Sequence, residues 1–476
     1  MKLAVVIPPA TFLIDDRAFL SLGPIQIATV ARDFAGWRVE VLDLTGHARR
    51  CLKINHDDLC EQEVWAHCEA QIAMTPADVY GLYGMSCHVR NCVRLAAMVK
   101  KHWPKAVIVA GGPHASMQPD DFLRNGFDAA VVAQTGGGGG ELGLMEVLGD
   151  VALFGRVRQQ KYASFNDPNP ARWSWPDRAL VDWQSYAYRI DGERAGSIVS
   201  QFGCPYVCVF CSHGPGYTKV RYRDLEHVAA ELREMRRRFS QRAVMLYDVE
   251  VNLRRDHFEG LCGVLSDGGW RWRAFIKSNI FTEEHARLAA ESGAAEFCTG
   301  AESADPDIKK AILKKSTVEH DTNFVEWCWK YGIAAKVFTQ VGLPGESRES
   351  ALRTKDWLLR MARAAPAGLF HFDVTVTTPY PGTPIYDAPE KHGLRVVRPL
   401  DFAHEEVIYK GKPGEYQSFT ETEHLRAAEI VALRDEIERD VLAVMGKSAP
   451  VVGVERNAET SRSGAPHRDV RQIDGG

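Results

Sequence analysis

Three cysteines on one short segment carry the strongest chemical signal in the chain: Cys204, Cys208 and Cys211. Their spacing is C-x3-C-x2-C, and the apolar residues 196–200 directly before them predict a buried strand. The thiols should therefore lie together on the loop at the carboxyl end of that strand. Thiolates bind both iron–sulfur clusters and zinc, so the cysteines alone leave both kinds of site open.

The ligand count favours iron over zinc. A structural zinc site takes four ligands, and the nearest nitrogen, on His213, is too close to Cys211 in sequence to complete a comfortable tetrahedron. Three thiolates instead suit a [4Fe–4S] cluster in which one iron stays open to a substrate or cofactor. The simpler alternative is a chance grouping of buried structural thiols, and disulfide use of the secreted type has little support.

The composition limits the partners. Lys and Arg number 58 against 62 Asp and Glu, a net charge of −4, which argues against a broad nucleic-acid surface. The first apolar run is too short for a signal sequence, and no run approaches the roughly 20 apolar residues of a membrane span. We therefore expect a cytoplasmic protein with reduced cysteines and with no nucleic-acid or membrane partner.

Residues 1–148 alternate short apolar strands with helical patterns, and the strands are predicted near residues 3–7, 38–42, 79–83, 106–110 and 129–133. This order is typical of an α/β fold with a doubly wound, Rossmann-like parallel sheet. Ligands of such sheets bind outside the carboxyl ends of the strands. The loops expected at that edge are 85–88, 111–116 and 136–140, where small residues would let a bulky planar ligand meet the backbone.

The rest of the chain divides into four segments. Residues 149–190 are irregular and predict a linker, whereas 191–388 alternate six strands with helices, as in a partial (β/α)6 TIM-like barrel. Residues 389–450 predict a small α-rich segment that caps the barrel or contacts substrate, and 451–476 predict a disordered tail. The chemistry of such barrels lies at the carboxyl ends of the strands, and the cysteine loop follows the first of them.

Polar residues and a glycine follow later barrel strands at the same end. Asp248 and Glu250 follow the second strand, Glu302 and Ser303 the fourth, and Gly345 the fifth. A carboxylate beside glycine suits a cofactor that approaches the backbone closely. Taken singly, these motifs are equally well explained as helix caps or turns, but their recurrence at successive strand ends favours binding.

Together, these motifs resemble those of the radical S-adenosylmethionine (radical SAM) enzymes that carry a cobalamin-binding domain. The resemblance spans residues 1 to about 390 and includes the aromatic Phe210 before the third cysteine and the runs 111–116, 300–303 and 342–346. It implies that the cysteines hold a [4Fe–4S] cluster whose open iron chelates SAM, and that an electron cleaves SAM to a 5′-deoxyadenosyl radical. It also implies an electron donor of flavodoxin or ferredoxin type.

The motifs and the resemblance assign two sets of cofactor-binding residues. SAM is expected to contact Phe210, Asp248, Glu250, Glu302, Ser303 and Gly345. Cobalamin is expected to contact Ser86, Gly111, Gly112, His114, Ser116, Gly136, Gly138 and Glu141. The Asp-x-His-x-x-Gly motif is missing, so we expect no protein imidazole on the lower face of cobalt, and we interpret His88 and His114 as loop residues that form hydrogen bonds.

The predicted function is cobalamin-dependent radical SAM methyl transfer, from SAM through methylcobalamin to an unactivated carbon, or phosphorus, of a small metabolite. Two alternatives stay open. One is an oxidative cyclase or rearrangement enzyme that uses the same cofactors without methyl transfer, and the other is a non-catalytic cobalamin or iron–sulfur sensor. The substrate is expected to meet Lys277, Asn279 and Tyr380.

The cysteine triplet gives a direct test. Anaerobically reconstituted protein should hold about four iron atoms per chain, because three thiolates suffice to anchor a [4Fe–4S] cluster. The triple variant Cys204→Ala, Cys208→Ala, Cys211→Ala should retain almost none of that iron, as measured by metal analysis and by the cluster's visible absorbance. Stoichiometric zinc without iron in the native protein would overturn the assignment.

Overall fold

Strands and helices alternate through the first part of the chain, as the sequence pattern predicts. The computed structural model describes residues 1–10, 17–46, 58–133, 139–164, 173–212, 219–404 and 416–446. The first sheet contains six strands: β1 (Lys2–Ile7), β2 (Arg38–Asp43), β3 (Val79–Tyr83), β4 (Val107–Gly111), β5 (Ala129–Ala133) and β6 (Lys161–Ser164). All neighbouring pairs are parallel, and the spatial order is β2-β1-β3-β4-β5-β6.

Helices cover both faces of this sheet. Alternate strand residues enter two separate apolar clusters: Ala4 and Val6 on one face, Leu3 and Val5 on the other. This two-sided burial is the reason that the strands read as continuous apolar runs. The helices are α1 (Leu22–Ala35), α2 (Asp58–Ala73), α3 (Val89–His102), α4 (Pro113–Met117), α5 (Pro119–Leu123) and α6 (Gly140–Phe154). The predicted doubly wound, Rossmann-like sheet is confirmed.

The strand order reverses beside β1. The chain passes from β1 to β2 on one side and then places β3 on the other side of β1. In open parallel sheets, ligands bind at the carboxyl edge where the order reverses. The loop that begins with Gly84 and Ser86, directly after β3, lies at this point.

A second sheet follows. The chain forms β7 (Arg189–Ile190) and β8 (Glu193–Ile198), then a two-stranded antiparallel pair of β9 (Gln201–Phe202) and β10 (Arg221–Tyr222). It continues with β11 (Ala243–Leu246), β12 (Arg271–Phe275), β13 (Ala294–Glu302), β14 (Ala334–Val341) and β15 (Phe370–Val376). The sheet order is β15-β14-β13-β12-β11-β8-β7, and its six long strands are parallel. It matches the predicted six-unit partial barrel.

The barrel strands separate an outer apolar face from an inner mixed one. Trp272, Phe297 and Val337 point outward into the main core, against helices that connect the strands. These helices are α7 (Leu225–Phe239), α8 (Arg255–Asp267), α9 (Glu283–Glu291), α10 (Pro306–Ala311), α11 (Val318–Lys330) and α12 (Arg348–Ala364). On the inner face, Phe275 and Phe338 are only partly buried. Alternate residues of the strands therefore line accessible space.

The C-terminal segment covers one edge of the barrel. It comprises α13 (Pro384–Asp387), β16 (Arg395–Val396), β17 (Thr420–Glu421) and α14 (Ala427–Val444). Arg434 of α14 is buried, donates from Nε to the carbonyl of Val374 at 2.9 Å, and stacks on Tyr416 with Cζ 3.9 Å from the ring centre. The Arg434 side chain thus satisfies a carbonyl of the edge strand β15. Without this bond, the carbonyl would be open to pairing with a strand of another chain. The predicted tail, 451–476, lies outside the described residues.

The segment between the two sheets contributes to both of them. Strand β6 and the end of α6 fall within residues 149–190, which the sequence pattern assigned to a linker. Farther along, the buried Arg178 donates to Glu231 of α7 at 2.7 Å and to the Ser197 carbonyl at 2.6 Å. Arg223 contacts the other oxygen of Glu231 at 2.8 Å.

Across the described ranges, we find no helix with the length and apolarity that crossing a bilayer requires.

The carboxylate of Glu231 should be a strong determinant of stability. It lies between two buried guanidinium groups, so Glu231→Gln would leave them facing each other without a counter-charge and should cost about 3–5 kcal/mol. The exposed pair of Glu226 and Arg233 on the same helix provides the control, since Glu226→Gln should cost at most about 1 kcal/mol. Urea unfolding of both variants measures the difference. Equal, small losses would show that the buried network contributes little.

Candidate functional site

The cysteine loop is anchored by backbone bonds on both sides. Val209 donates to the Ile312 carbonyl at 3.2 Å, and its own carbonyl accepts from Ile385 at 3.3 Å. Phe210 packs against the apolar cluster that these residues form with Ile308, Leu343 and Leu394. Phe210 therefore stiffens the loop and shields one side of it.

None of the three cysteines forms a disulfide, and Cys204 and Cys208 are buried while Cys211 is partly exposed. Burial raises the pKa of the Cys204 thiol, and the ammonium of Lys277 opposes that rise. Among the described residues, no three His, Cys, Asp or Glu side chains are placed to hold a single metal ion. In a [4Fe–4S] cluster each cysteine binds a different iron atom, so three separate thiols on one shielded loop fit that group.

Lys277 lies beside the cysteine loop. Only 2% of the residue is exposed, and its Nζ lies 4.2 Å from the ring centre of Tyr206, between the first two cysteines. Asn252 fixes the Lys277 backbone by accepting from its N–H at 2.8 Å and donating to its carbonyl at 3.1 Å. Asn279 hydrogen-bonds the Tyr206 hydroxyl. The substrate roles assigned to Lys277 and Asn279 stay predictions, and the contacts described here place both beside the cluster loop.

Asp248 joins the second barrel strand to the start of the cysteine loop. Its carboxylate is buried and accepts from the N–H groups of Ser200 at 2.6 Å and Gln201 at 3.0 Å, and also from the Ser200 hydroxyl. Burial raises its pKa to about 6, against the opposing effect of these donors. One oxygen of Asp248 thus holds two backbone N–H groups of the segment that leads to Cys204, and the other accepts from the Ser200 hydroxyl. Its contact with SAM stays a prediction.

Glu302 is the carboxylate that the barrel presents at its mouth. It lies at a bulge where the pairing of β13 with β14 shifts, and its φ of 64° is in the left-handed region that costs a non-glycine residue energy. Its oxygens accept from Lys314 at 3.3 Å and Gln340 at 2.8 Å. Gly300 has no room for a Cβ, which would lie 2.1 Å from a Glu302 oxygen.

A group of alternating charges links Glu302 to the cysteines. Burial would lower the pKa of Lys314, but the charges of Glu302, Cys208 and Glu250 outweigh that effect and raise it. Burial raises the pKa of Glu250, and Lys277 and Lys314 oppose the rise. The predicted residues Glu250 and Glu302 are therefore brought together. Lys314 and Gln340 were not among the residues predicted for this site, although Gln340 lies near the end of β14, just before Gly342.

The other two residues assigned to SAM, Ser303 and Gly345, lie in the loops that follow their strands. Ser303 is fully buried, and its hydroxyl accepts from the Asp305 N–H at 3.1 Å and lies 3.3 Å from Thr354 Oγ1. Gly345 has a φ of 76°, in the turn that precedes Glu346. Glu346 is fully buried and accepts from the Gly342 N–H at 2.6 Å. These contacts position the strand-end loops, and their contact with SAM stays a prediction.

At the edge of the first sheet, Ser86 and His114 lie against each other, with Oγ 2.9 Å from Nδ1. Gly112 has a φ of 101°, and a Cβ there would lie 2.9 Å from the Gly84 carbonyl. Ser116 donates to the Gly112 carbonyl at 3.0 Å and accepts from the Ala133 N–H at 3.1 Å. His114 forms hydrogen bonds, as interpreted, but it lies in the short helix α4 and not on a loop. Its contact with cobalamin stays a prediction.

The remaining residues assigned to cobalamin and substrate differ in burial and in location. A Cβ at Gly111 would meet open space, and Glu141 is buried in the first turn of α6. Gly136 and Gly138 lie outside the described residues. Tyr380 stacks on Phe402, with ring centres 6.1 Å apart, beside the core of the first sheet. Its substrate role stays a prediction.

Comparison with protein families divides the chain as the sheets do. A family model described as the radical SAM superfamily matches residues 198–358, which contain the cysteine loop and the strand ends through Glu346. A model described as a B12 binding domain matches residues 20–138, which contain Ser86 and His114.

Curated relatives fall into two groups by name. An uncharacterized methyltransferase of Pyrococcus horikoshii is 25% identical over 70% of this chain and 73% of its own length. A bacteriochlorophyllide d C-12(1)-methyltransferase of Chlorobaculum tepidum is 30% identical over 40% of this chain and 41% of its own length. An anaerobic magnesium-protoporphyrin IX monomethyl ester cyclase of Rubrivivax gelatinosus is 25% identical over 40% and 36%. The matches to these last two relatives span less than half of their length.

Solved structures share the whole architecture. The radical S-adenosylmethionine methyltransferase TsrM of Kitasatospora setae, solved with cobalamin and a [4Fe–4S] cluster bound, superposes with a TM-score of 0.65. The match covers 98% of this chain and 93% of TsrM at 18% identity. The cobalamin-dependent radical enzyme OxsB gives a TM-score of 0.53 over 76% of this chain and 52% of its own, at 14% identity. These likenesses establish the arrangement of a first sheet followed by a partial barrel.

The buried Glu346 should make stability depend on pH. Burial raises its pKa to about 8 from an ordinary value of 4.5, so between these values the folded protein holds the proton more tightly than the unfolded chain. The contribution of Glu346 is therefore complete below about pH 4.5 and is lost as the pH rises through 8. Glu346→Gln cannot ionise, and its melting temperature relative to wild type should rise from pH 5 to pH 8.

Thermal melting at a series of pH values measures this difference. Glu349→Gln is the control, because the Glu349 side chain lies three residues farther along the chain, is 79% exposed and should follow wild type at every pH. Parallel curves for Glu346→Gln and wild type would show that Glu346 is ionised in the folded protein.

Proposed function

We propose that this chain, which belongs to the radical SAM enzymes that carry a cobalamin-binding domain, transfers a methyl group from SAM through cobalamin to an unactivated carbon, or phosphorus, of a small metabolite. One observation carries the proposal: a loop of three free cysteines and the hydrogen-bonded group of Glu302, Lys314 and Gln340 lie at the same end of the barrel strands, in a chain that also has a B12-binding domain.

The domains imply the cofactors. A radical SAM domain implies a [4Fe–4S] cluster and SAM, and a B12-binding domain implies cobalamin. When bound, these groups supply one-electron chemistry and a transferable methyl group, and the protein supplies their binding, orientation and electrostatic environment. Cys204, Cys208 and Cys211 would hold the cluster.

Residues of this chain prepare the SAM site. Glu302 and Glu250 are acceptors suited to an ammonium or ribose hydroxyl, and Lys314 pairs with Glu302 at 3.3 Å. Gln340 holds the second oxygen of Glu302 and so fixes its direction. The apolar cluster around Phe210 keeps water away from one side of the cysteine loop, where a charged cofactor interacts more strongly with protein groups.

The inner face of the barrel is suited to binding a small organic substrate. Phe275 and Phe338 lie on strands that flank Gly300, with ring centres 6.1 Å apart, and both are partly accessible. Apolar walls with a few polar groups are typical of small-molecule sites. We expect the electron to come from a donor of flavodoxin or ferredoxin type, in a reducing compartment such as the cytoplasm.

The names of the relatives favour methyl transfer and keep one alternative. Two of the three relatives described are methyltransferases, and the third is a cyclase that matches 40% of this chain. An oxidative cyclisation or rearrangement with the same cofactors is therefore the second candidate. A cofactor sensor is disfavoured, because the charged group of Glu302 and Lys314 suits SAM and a sensor of cobalamin has no use for it.

A labelled methyl group separates the candidates. Reconstituted protein is incubated anaerobically with cobalamin, a low-potential reductant and SAM that carries a deuterated methyl group, together with candidate metabolites. Methyl transfer predicts a product that contains the label, together with S-adenosylhomocysteine and 5′-deoxyadenosine, all measured by mass spectrometry. Glu302→Gln should lower the yield of 5′-deoxyadenosine, because a carboxylate that binds SAM is lost.

The contrary outcome is equally clear. A converted substrate with 5′-deoxyadenosine but without label or S-adenosylhomocysteine would replace methyl transfer by cyclisation or rearrangement. Cobalamin binding without any SAM cleavage under reducing conditions would favour the sensor.

A further inference from the structure

Ser86, His114 and Asp121 form a series of hydrogen bonds, with the buried His114 at its centre, at the edge of the first sheet. His114 Nδ1 lies 2.9 Å from Ser86 Oγ, and Nε2 lies 3.0 Å from Asp121 Oδ2. The imidazole is completely buried, packed edge-on against Phe122 and Phe402 at 5.7 and 5.3 Å between ring centres. The ring therefore has a fixed position and a fixed partner at each nitrogen.

These hydrogen bonds join the segments that follow two adjacent strands. Ser86 comes after β3 and His114 comes after β4, and backbone bonds connect the same segments: the Gly84 N–H donates to the Gly111 carbonyl at 2.9 Å, and the His114 N–H donates to the Gly84 carbonyl at 3.1 Å. Ser86 itself is partly exposed. It lies next to the reversal point of the sheet, where ligands of such folds bind. The Ser86 end of this series therefore lies at the edge of the sheet where a ligand is expected.

The direction of the hydrogen bonds follows from the chemistry of Asp121. Its other oxygen accepts from Arg124 at 2.7 Å, and its pKa is lowered chiefly by the bond to His114. An ionised carboxylate only accepts, so His114 Nε2 must carry the proton. With the ring proton on Nε2, Nδ1 is the acceptor position of the imidazole, and the Ser86 hydroxyl donates its one proton to it. The oxygen of Ser86 is left with lone pairs only.

We propose that His114 and Asp121 are positioning residues that fix Ser86 as a hydrogen-bond acceptor toward the cofactor edge, where it selects an amide N–H on the periphery of cobalamin. The inference rests on the proposed function, because it needs cobalamin at this edge. Primary amides line the rim of cobalamin and can donate to such an acceptor. A carboxylate at the same position could not donate and would be repelled by the lone pairs.

Binding of hydroxocobalamin to the reconstituted full chain tests the proposal, with the dissociation constant measured by calorimetry. Ser86→Ala should weaken binding about 3- to 10-fold, the effect of one lost hydrogen bond. Asp121→Asn should weaken binding similarly, because the amide can donate to Nε2, which moves the ring proton to Nδ1 and turns the Ser86 hydroxyl into an outward donor. Asp120→Asn, a neighbouring surface change at a half-exposed residue, should leave the constant unchanged.

The double variant distinguishes positioning from general damage to the fold. If Asp121 acts through Ser86, then Ser86→Ala with Asp121→Asn should bind as Ser86→Ala alone does. Losses that multiply, or an Asp121→Asn variant that binds as wild type does, would overturn the proposal.

A chemical series keeps the test independent of variants that fail to fold. Cobalamin monocarboxylic acids, each with one peripheral amide hydrolysed, are compared with hydroxocobalamin itself. Wild type should bind one of these acids at least 3-fold more weakly, and Ser86→Ala should lose that discrimination. Equal affinity of wild type for all the acids would overturn the inference while leaving the proposed function intact, whereas a wild type that binds no cobalamin would overturn both.

Discussion

The position of the cysteine loop depends on one buried carboxylate. Asp248 accepts two backbone N–H groups and a hydroxyl from Ser200 and Gln201, and so ties the end of β11 to the residues that lead into Cys204. A loop cannot satisfy these donors with water once it is buried, and an unpaired buried N–H is costly. The carboxylate therefore sets where the three thiols can stand relative to the other barrel strands. Glu302, Lys277 and Lys314 then surround a loop that is already fixed.

Much of this arrangement could be predicted from the sequence. Apolar runs of strand length separated by helical patterns gave both sheets, because parallel strands buried on two faces leave a strong signal. The cysteine spacing and Glu302 were recognisable for a related reason: the carboxyl ends of parallel strands meet at one edge, so motifs at successive strand ends come together.

The direction in which a side chain turns could not be predicted from the sequence. Asp248 and Ser303 follow strands as Glu302 does, but they turn toward backbone donors, which no spacing reveals. Lys277 packs on Tyr206, a contact that its place after a strand does not reveal, and its substrate role stays a prediction. Strand β6 was hidden in an irregular segment because it is only four residues long and begins with a lysine. Lys314 lies beyond a short helix, and only the chain reversal there brings it to Glu302.

The guanidinium of Arg434 on the edge of β15 has a consequence for biosynthesis. All six parallel barrel strands leave the ribosome before α14 does, so the growing barrel exposes the carbonyl of Val374 until Arg434 has been made. During this interval a second nascent chain could pair with the open strand, since unpaired edges template association. The last helix that the structure describes thus acts as a late closing step, and premature termination before it would leave a barrel prone to aggregate.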